Sequence, residues 1–170
     1  NKSLFILDEI VTGFRFRFGC LYPTMKLDPD IVTLGKIAGG GMAIGIMCGK
    51  KEIMEHADTT GKKKSERSYI GGGTFSTNPI SMTSGYETLN YLKTKKSTYS
   101  KINSLGDYAR KELKKVFDGK VVVTGKGSLF MTHFVKNGIT EVTNSVDVAK
   151  CNSEMLQKYH FKMISKDGIF

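Results

Sequence analysis

The chain has 170 residues, enough for one well-packed core, and its 39% hydrophobic content is that of an ordinary globular domain. No run of residues is long and apolar enough to cross a membrane, so a membrane-spanning protein is not expected. The net charge of +10 could indicate nucleic-acid binding, but 22 of the 26 basic residues are lysines, most of them at the spacing of a solvated helix face. Because nucleic-acid readers favour arginine, nucleic acid is not predicted as the main partner.

The first predicted element is a strand, "SLFILDE", that ends in Asp8 and Glu9. A continuous apolar run followed by carboxylates is typical of a buried parallel strand whose polar residues begin where it leaves the sheet. The chain has no initiator Met, and its last residues, "KDGIF", resemble the beginning of another strand. We therefore expect it to be a piece of a longer protein.

The next segments predict a second strand in "DIVTLGK" and, in "AIGIMCGKKEIMEHA", a strand, a turn and a helix start. A basic, glycine-containing surface loop follows. "TFSTNPISMTSGYETLNYLKTK" then predicts a helix, with Thr77 or Asn78 as its cap and Pro79 in its first turn. An apolar stripe follows it at helical spacing: Ile80, Met82, Tyr86, Leu89 and Leu92.

The rest of the chain has a different pattern. It predicts a helix from about Tyr99 to Phe117, two strands in "VVVTGKGSLFMTHFV", and a helix in "SVDVAKCNSEMLQKYHFKMISKDG" that ends at Gly168. Alternating strands and helices followed by a small α+β segment indicate an α/β fold. We expect residues 1–95 to form part of one domain and residues 96–170 to begin a second.

Two polar side chains follow neighbouring predicted strands, Asp8 after the first and Lys36 after the second. Taken alone, Lys36 is an ordinary turn lysine and Asp8 a helix cap or a satisfied polar residue. In open α/β sheets, however, ligands bind at the carboxyl ends of the strands. Gly39, Gly40 and Gly41 follow the lysine, and we expect them to let the backbone pass close to that site, where a Cβ would clash.

This pairing suits one class of cofactor. A lysine amine forms a Schiff base with a carbonyl group, and pyridoxal phosphate needs such a lysine together with an acidic partner for its ring nitrogen. The partner acts electrostatically, since a nearby carboxylate keeps the ring nitrogen protonated. Lys36 and Asp8 fit the two roles.

Cysteine and histidine usage bears on redox compartment and on metals. Cys20, Cys48 and Cys151 are odd in number and widely spaced, which predicts free thiols in a reducing compartment such as the cytoplasm. The three histidines show no metal-ligand spacing with one another or with the cysteines. No metal site is predicted.

Three ordered segments also carry a family resemblance: "LFILDEIVTGFR", "DPDIVTLGKIAGGGMAIGIMCGKKEIME" and "GGGTFSTNPISMTSGYETL". Together they resemble the large domain of class III pyridoxal-phosphate aminotransferases, and within that family the glutamate-1-semialdehyde 2,1-aminomutase branch. The resemblance is strong over residues 4–92 and looser to residue 170. It implies a fold-type I transferase, with part of the large domain in 1–95 and the start of the small α+β C-terminal domain in 96–170.

The resemblance also implies roles for four residues. Lys36 would be the Schiff-base lysine and the acid/base of the proton transfer, and Asp8 would pair with the pyridine nitrogen. Ile10 would pack on one face of the ring, although ordinary core packing explains it nearly as well. Thr74 would reach the cofactor phosphate of a neighbouring subunit, which implies a homodimer with shared active sites.

Three functions stay open at this stage. The first is amino transfer within one small-molecule substrate, cycling between pyridoxal and pyridoxamine phosphate, and the second is transfer between an amine or amino acid and a keto acid. Both use Lys36 and Asp8 identically. The third is a catalytically silent fragment or basic binding module on the same scaffold, which the charge of +10 favours. A nucleotide-binding loop is discounted, because "TGKGS" lacks the upstream glycine of that motif.

Overall fold

The computed structural model describes residues 3–66, 68, 72–73, 75–136 and 138–169. The chain divides into two compact units, Asn1–Tyr99 and Ser100–Phe170. Each unit has its own sheet and its own helices, and each is described by itself.

The first unit is built on a three-stranded sheet in the order β1-β2-β3, with β1 at Ile6–Asp8, β2 at Ile31–Leu34 and β3 at Ile46–Gly49. All three strands lie in the apolar runs that predict them. β1 and β2 are parallel, whereas β3 runs antiparallel to β2. The connection 35–45 is shorter than the dozen or so residues that a parallel crossover needs, so the chain turns back on itself instead.

The central strand β2 supplies most of the buried apolar side chains of this unit: Ile31, Val32 and Leu34. The end of the sheet where β1 and β2 begin is joined by a polar cluster. Lys50 Nζ lies 2.9 Å from Asp30 Oδ1 and 3.2 Å from Asp28 Oδ2. Asp30 Oδ2 accepts a 2.7 Å hydrogen bond from Phe5 N. These contacts tie all three strands together at the end opposite Asp8.

Two helices follow the sheet, the short α1 at Lys51–Met54 and the long α2 at Pro79–Thr94. The predicted start of α2 is confirmed, with Asn78 as its cap. Asn78 Oδ1 accepts hydrogen bonds from Ile80 N at 3.0 Å and from Ser81 N at 3.2 Å. Two otherwise unpaired donors of the first turn are thereby satisfied.

The face that α2 buries differs from its apolar stripe. Ile80, Met82 and Tyr86 are exposed, while the buried residues of the helix are Ser81 and Gly85. A Cβ on Gly85 would lie 2.5 Å from the carbonyl oxygen of Ala38. The helix therefore packs through small residues against the turn that follows β2, and only such residues permit that close approach.

The second unit contains most of α3 (Ser97–Phe117), a two-stranded antiparallel sheet of β4 (Val121–Lys126) and β5 (Leu129–Phe134), and two C-terminal helices. These are α4 at Ser145–Lys150 and α5 at Ser153–Asp167. The sequence predicts one continuous helix in this segment, and that prediction is wrong.

The break between α4 and α5 has a local cause. Asn152 Oδ1 accepts a hydrogen bond from Met155 N at 3.0 Å and so begins a new helix. The predicted end of that helix at Gly168 is confirmed. Gly168 has φ +62°, the left-handed conformation in which glycine ends a helix.

The core of the second unit forms where the hairpin meets the helices. Val121, Val123 and Phe134 are buried, and Leu113, Phe117, Leu156 and Tyr159 pack against them. The rings of Phe117 and Phe134 meet edge to face with centroids 5.2 Å apart, and Tyr159 lies 5.7 Å from Phe117. Side chains from α3, the hairpin and α5 thus share one small core.

Candidate functional site

Asp8 is the last residue of β1 and lies beside Thr33 of β2 in the parallel register. Its Oδ1 accepts a 2.8 Å hydrogen bond from Ile10 N and a 3.4 Å hydrogen bond from the Thr33 hydroxyl. No residue in the described part of the chain donates to Oδ2. One carboxylate oxygen is thus held in place while the other stays available at the exposed edge.

Lys36 begins a 3₁₀ turn, Lys36–Gly39, which only Gly35 separates from the end of β2. Its backbone has φ +46°, in the left-handed region that residues with a Cβ seldom occupy. Its side chain is exposed, and within the described ranges the ammonium has no ion pair or hydrogen bond. Unusual backbone of this kind is concentrated at functional sites, where surrounding structure compensates its cost.

Ile10 joins these two residues spatially. A Cβ on Gly35 would lie 3.4 Å from Ile10 Cγ2 and 3.8 Å from Ile10 Cγ1. The isoleucine side chain therefore rests on the backbone of the residue before Lys36. The structure thus brings Asp8, Ile10 and Lys36 to the same edge of the sheet, at the carboxyl ends of β1 and β2.

The fourth predicted residue, Thr74, lies outside the described residues. Asn78, the cap of α2, follows Thr74 by four residues.

Gly39 and Gly40 of the glycine triplet have close neighbours within the chain itself. A Cβ on Gly39 would lie 2.8 Å from Ile44 Cγ2, and one on Gly40 would lie 2.3 Å from Thr88 Oγ1. A Cβ on Gly41 would meet nothing within 4 Å. The first two glycines are therefore needed where the turn packs against Ile44 and against α2.

The sequence places Glu9 directly after the first strand but predicts no role for it. Its side chain is 2% exposed. Its Oε1 accepts from Leu21 N at 2.9 Å and Tyr22 N at 2.7 Å, and its Oε2 accepts from Leu21 N at 2.7 Å and from the Thr12 hydroxyl at 3.1 Å. A carboxylate buried to this degree is retained when such donors replace water.

The three cysteines are free thiols. Burial raises the pKa of the Cys20 thiol, and the negative charge of Glu9 raises it further, more than Arg17 lowers it. The thiol form of Cys20 is therefore favoured next to the buried carboxylate.

Asp8, Ile10 and Lys36 carry chemical groups that match those of pyridoxal phosphate. Lys36 offers a primary amine without a partner in the described ranges, and Asp8 offers a carboxylate oxygen without a donor there. The Ile10 side chain supplies an aliphatic surface against Gly35, the residue before Lys36. An aldehyde, a basic ring nitrogen and a flat ring face are the matching parts of that cofactor.

The family model for class III aminotransferases matches residues 1–164. The chain belongs to the class III aminotransferase family. Glutamate-1-semialdehyde 2,1-aminomutase of Sulfolobus acidocaldarius is 35% identical over 173 residues, which cover 99% of this chain and 39% of that protein. The chain thus spans about two fifths of the length of this relative.

Solved structures agree with this family at the level of the fold. A β-phenylalanine aminotransferase from Variovorax paradoxus superposes with a TM-score of 0.77 and 27% identity, covering 99% of this chain and 37% of that one. A transaminase solved with pyridoxal phosphate bound superposes with a TM-score of 0.66 and 27% identity, covering 80% of this chain and 31% of that one. The mixed α/β unit with β1, β2 and α2 therefore has the fold of part of the large domain of class III transaminases, as the resemblance implied.

Within the described residues, no group of three or more His, Cys, Asp or Glu side chains is placed to hold a metal ion. The helices described there are all too short or too polar to cross a membrane.

Proposed function

We propose that this chain forms part of the cofactor site of a pyridoxal-phosphate enzyme that moves an amino group on a small-molecule substrate. The observation that carries the proposal is the meeting of Asp8, Ile10 and Lys36 at one edge of the sheet. Membership of the class III family supports it.

When bound, pyridoxal phosphate supplies a carbonyl group that condenses with amines and a protonated ring that takes up electrons from the adjacent carbon. Lys36 would hold the cofactor through Nζ and, once released, carry a proton between substrate and cofactor on the same atom. Asp8 would keep the proton on the ring nitrogen, since a carboxylate at about 4 Å stabilises a cation by about 4 kcal/mol at an effective dielectric near 20, before desolvation.

The side chain of Ile10 would exclude water from one face of the ring. Its own backbone N–H already orients Asp8 through the 2.8 Å hydrogen bond to Oδ1. The residue would therefore act on both the ring and its acidic partner.

For the reaction, we propose internal amino transfer of the glutamate-1-semialdehyde 2,1-aminomutase type, through pyridoxamine phosphate. The 35% identity to the aminomutase of Sulfolobus acidocaldarius favours it. Transfer between an amine or amino acid and a keto acid is the second candidate, favoured by the TM-score of 0.77 to a β-phenylalanine aminotransferase. A silent basic module, suggested by the charge of +10, is the third.

The proposal extends to assembly and location. Thr74 would contact the cofactor phosphate of a second subunit, which makes the proposed enzyme a homodimer with shared sites. The three free cysteines favour a reducing compartment such as the cytoplasm. We further propose that residues 1–95 belong to the large domain and residues 96–170 to the small one.

The test is to incubate the purified protein with pyridoxal phosphate, reduce it with borohydride and map the labelled peptide. A pyridoxyl group on Lys36 is expected, and its loss in Lys36→Ala. Lys26→Ala is the matched control, because Lys26 is also exposed and also has a positive φ, +54°. Labelling that is unchanged in Lys36→Ala would contradict the proposal.

A second assay separates the candidate reactions. The protein is given glutamate-1-semialdehyde with and without an added keto acid. Internal transfer needs no second substrate, so conversion without the keto acid supports the aminomutase. Conversion of an amino acid only with the keto acid supports the aminotransferase, and no conversion by a labelled protein supports the silent module.

A further inference from the structure

Glu9 directly follows Asp8, and successive residues of an extended strand direct their side chains to opposite faces of a sheet. Asp8 is accordingly exposed at the sheet edge, whereas Glu9 is 2% exposed. The backbone N–H of Glu9 also donates to Thr33 O at 2.9 Å, which extends the pairing with β2 beyond the end of β1. Glu9 is therefore held in place by β2 as well as by its own strand.

The carboxylate of Glu9 closes a long loop. Its hydrogen-bond partners Leu21 N and Tyr22 N lie 12 and 13 residues further along the chain. The Thr12 hydroxyl, at the beginning of the same loop, donates to Oε2 at 3.1 Å. One buried side chain thus connects both ends of the segment 10–22.

This loop lies against the strand that leads to Lys36. Gly13 N donates to Glu9 O at 2.8 Å, and a Cβ on Gly13 would lie 2.5 Å from Leu34 Cδ2. Ile10, the first residue of the loop, rests on Gly35. Because Ile10 begins this loop, a shift of the loop that reaches Ile10 would displace its side chain and the N–H that orients Asp8.

We infer that Glu9 is a positioning residue for the cofactor ring. It acts through Ile10, which covers the ring face, and through Asp8, whose carboxylate Ile10 N orients. The inference rests on the proposed function. Glu9, the buried neighbour of Asp8, would hold both Asp8 and Ile10 in position against the ring.

The test compares three variants of the purified protein, using pyridoxal phosphate itself as the probe. Glu9→Ala removes every acceptor from Leu21 N, Tyr22 N and the Thr12 hydroxyl. We expect it to raise the dissociation constant of the cofactor about tenfold or more and to weaken the visible circular dichroism of the bound ring. Glu9→Gln keeps one oxygen for both backbone donors and should stay within about threefold of the wild type.

Asp30→Ala is the matched control, because it removes a carboxylate from the opposite end of the same strands. It should lower stability without changing the cofactor circular dichroism. Thr12→Val removes only the hydroxyl donor and serves as a milder variant if Glu9→Ala does not fold. We expect it to raise the dissociation constant about threefold.

The outcomes separate the two proposals. A wild-type protein that binds no pyridoxal phosphate overturns both the proposed function and the role of Glu9. A wild-type protein that binds it, with binding and circular dichroism unchanged in folded Glu9→Ala, or in Thr12→Val where Glu9→Ala does not fold, overturns the role of Glu9 alone. If the visible circular dichroism of the bound cofactor weakened equally in Glu9→Ala and Asp30→Ala, the effect of Glu9 would be one on overall stability. That result would also overturn the inference.

Discussion

Gly40 and Thr88 are in contact across the interface between the turn after Lys36 and helix α2. The backbone of Gly40 has φ +60°, and a Cβ there would lie 2.3 Å from Thr88 Oγ1 and 2.5 Å from Ser84 O. Ser84 Oγ also donates a 2.8 Å hydrogen bond to Gly40 O. Helix α2 therefore packs against the turn that begins at Lys36 and stabilises it.

This contact predicts different effects for two neighbouring glycines. Gly40→Ala combines left-handed backbone strain with a clash and should lower the free energy of unfolding by about 2–4 kcal/mol. Gly41→Ala is the matched control, since Gly41 has φ +94° but open space around it, and should lower that free energy by about 1–2 kcal/mol. Urea unfolding of both variants measures the difference, and equal losses would show that the contact with α2 contributes nothing.

Asp8→Asn tests the electrostatic role of the carboxylate. The amide oxygen can still accept from Ile10 N and the Thr33 hydroxyl, so the cofactor should still bind. Turnover should fall about 100-fold, the equivalent of two pKa units at the ring nitrogen, because a neutral amide does not hold the proton there.

Asp28→Asn is the control for that variant. Asp28 lies at the opposite end of the sheet, paired with Lys50, so turnover should be unchanged. Steady-state kinetics on the purified protein make the comparison, and near-normal turnover in Asp8→Asn would remove the electrostatic argument.

At Gly106 in α3, we expect the usual preference of helix interiors for alanine over glycine to be reversed. Alanine normally stabilises a helix interior by about 1 kcal/mol over glycine. Here a Cβ would lie 2.0 Å from Gly127 O and 2.8 Å from Ser128 Cα, so Gly106→Ala should lower the free energy of unfolding by about 2 kcal/mol.

Ser104→Ala, at an exposed site of the same helix, should instead be stabilising by about 0.5 kcal/mol. Thermal unfolding followed by circular dichroism distinguishes the two signs. A stabilising Gly106→Ala would mean that the hairpin does not approach α3 this closely.

Asp30 predicts how the stability of the first unit depends on pH. Hydrogen bonds from the Lys50 ammonium and from Phe5 N lower the pKa of Asp30 below its ordinary value of 3.8. A carboxyl group whose pKa is lower when folded contributes stability above its unfolded pKa and loses it as the pH falls through the folded pKa. The loss should therefore begin near pH 4 and continue below it.

Asp30→Asn should be less stable than the wild type at pH 6, with the difference shrinking towards pH 3. Lys50→Met, which removes the cation, should reproduce part of that change. Urea unfolding at both pH values provides the measurement. A difference between wild type and Asp30→Asn that is the same at pH 6 and pH 3 would contradict the assigned cause.

Much of the local structure follows from short stretches of sequence. The apolar runs before Asp8 and Gly35 form strands, as their pattern predicts. Asn78 caps α2 and Gly168 ends α5, because each of these two contacts involves only nearby residues of the same helix. The buried face of α2 was not predictable in this way. Its apolar side chains Ile80 and Tyr86 are exposed, whereas Ser81 and Gly85 are buried against the turn after β2.

The sequence by itself determined which chemical groups end the first two strands, since Asp8 and Lys36 follow apolar runs that form strands wherever they can be buried. Only the tertiary structure decided that Ile10 rests on Gly35, that Glu9 is buried under the loop 10–22, and that Gly40 is needed against Thr88. These contacts join residues between 12 and 48 positions apart. Such approaches depend on how whole elements pack, and no local pattern of residues encodes them.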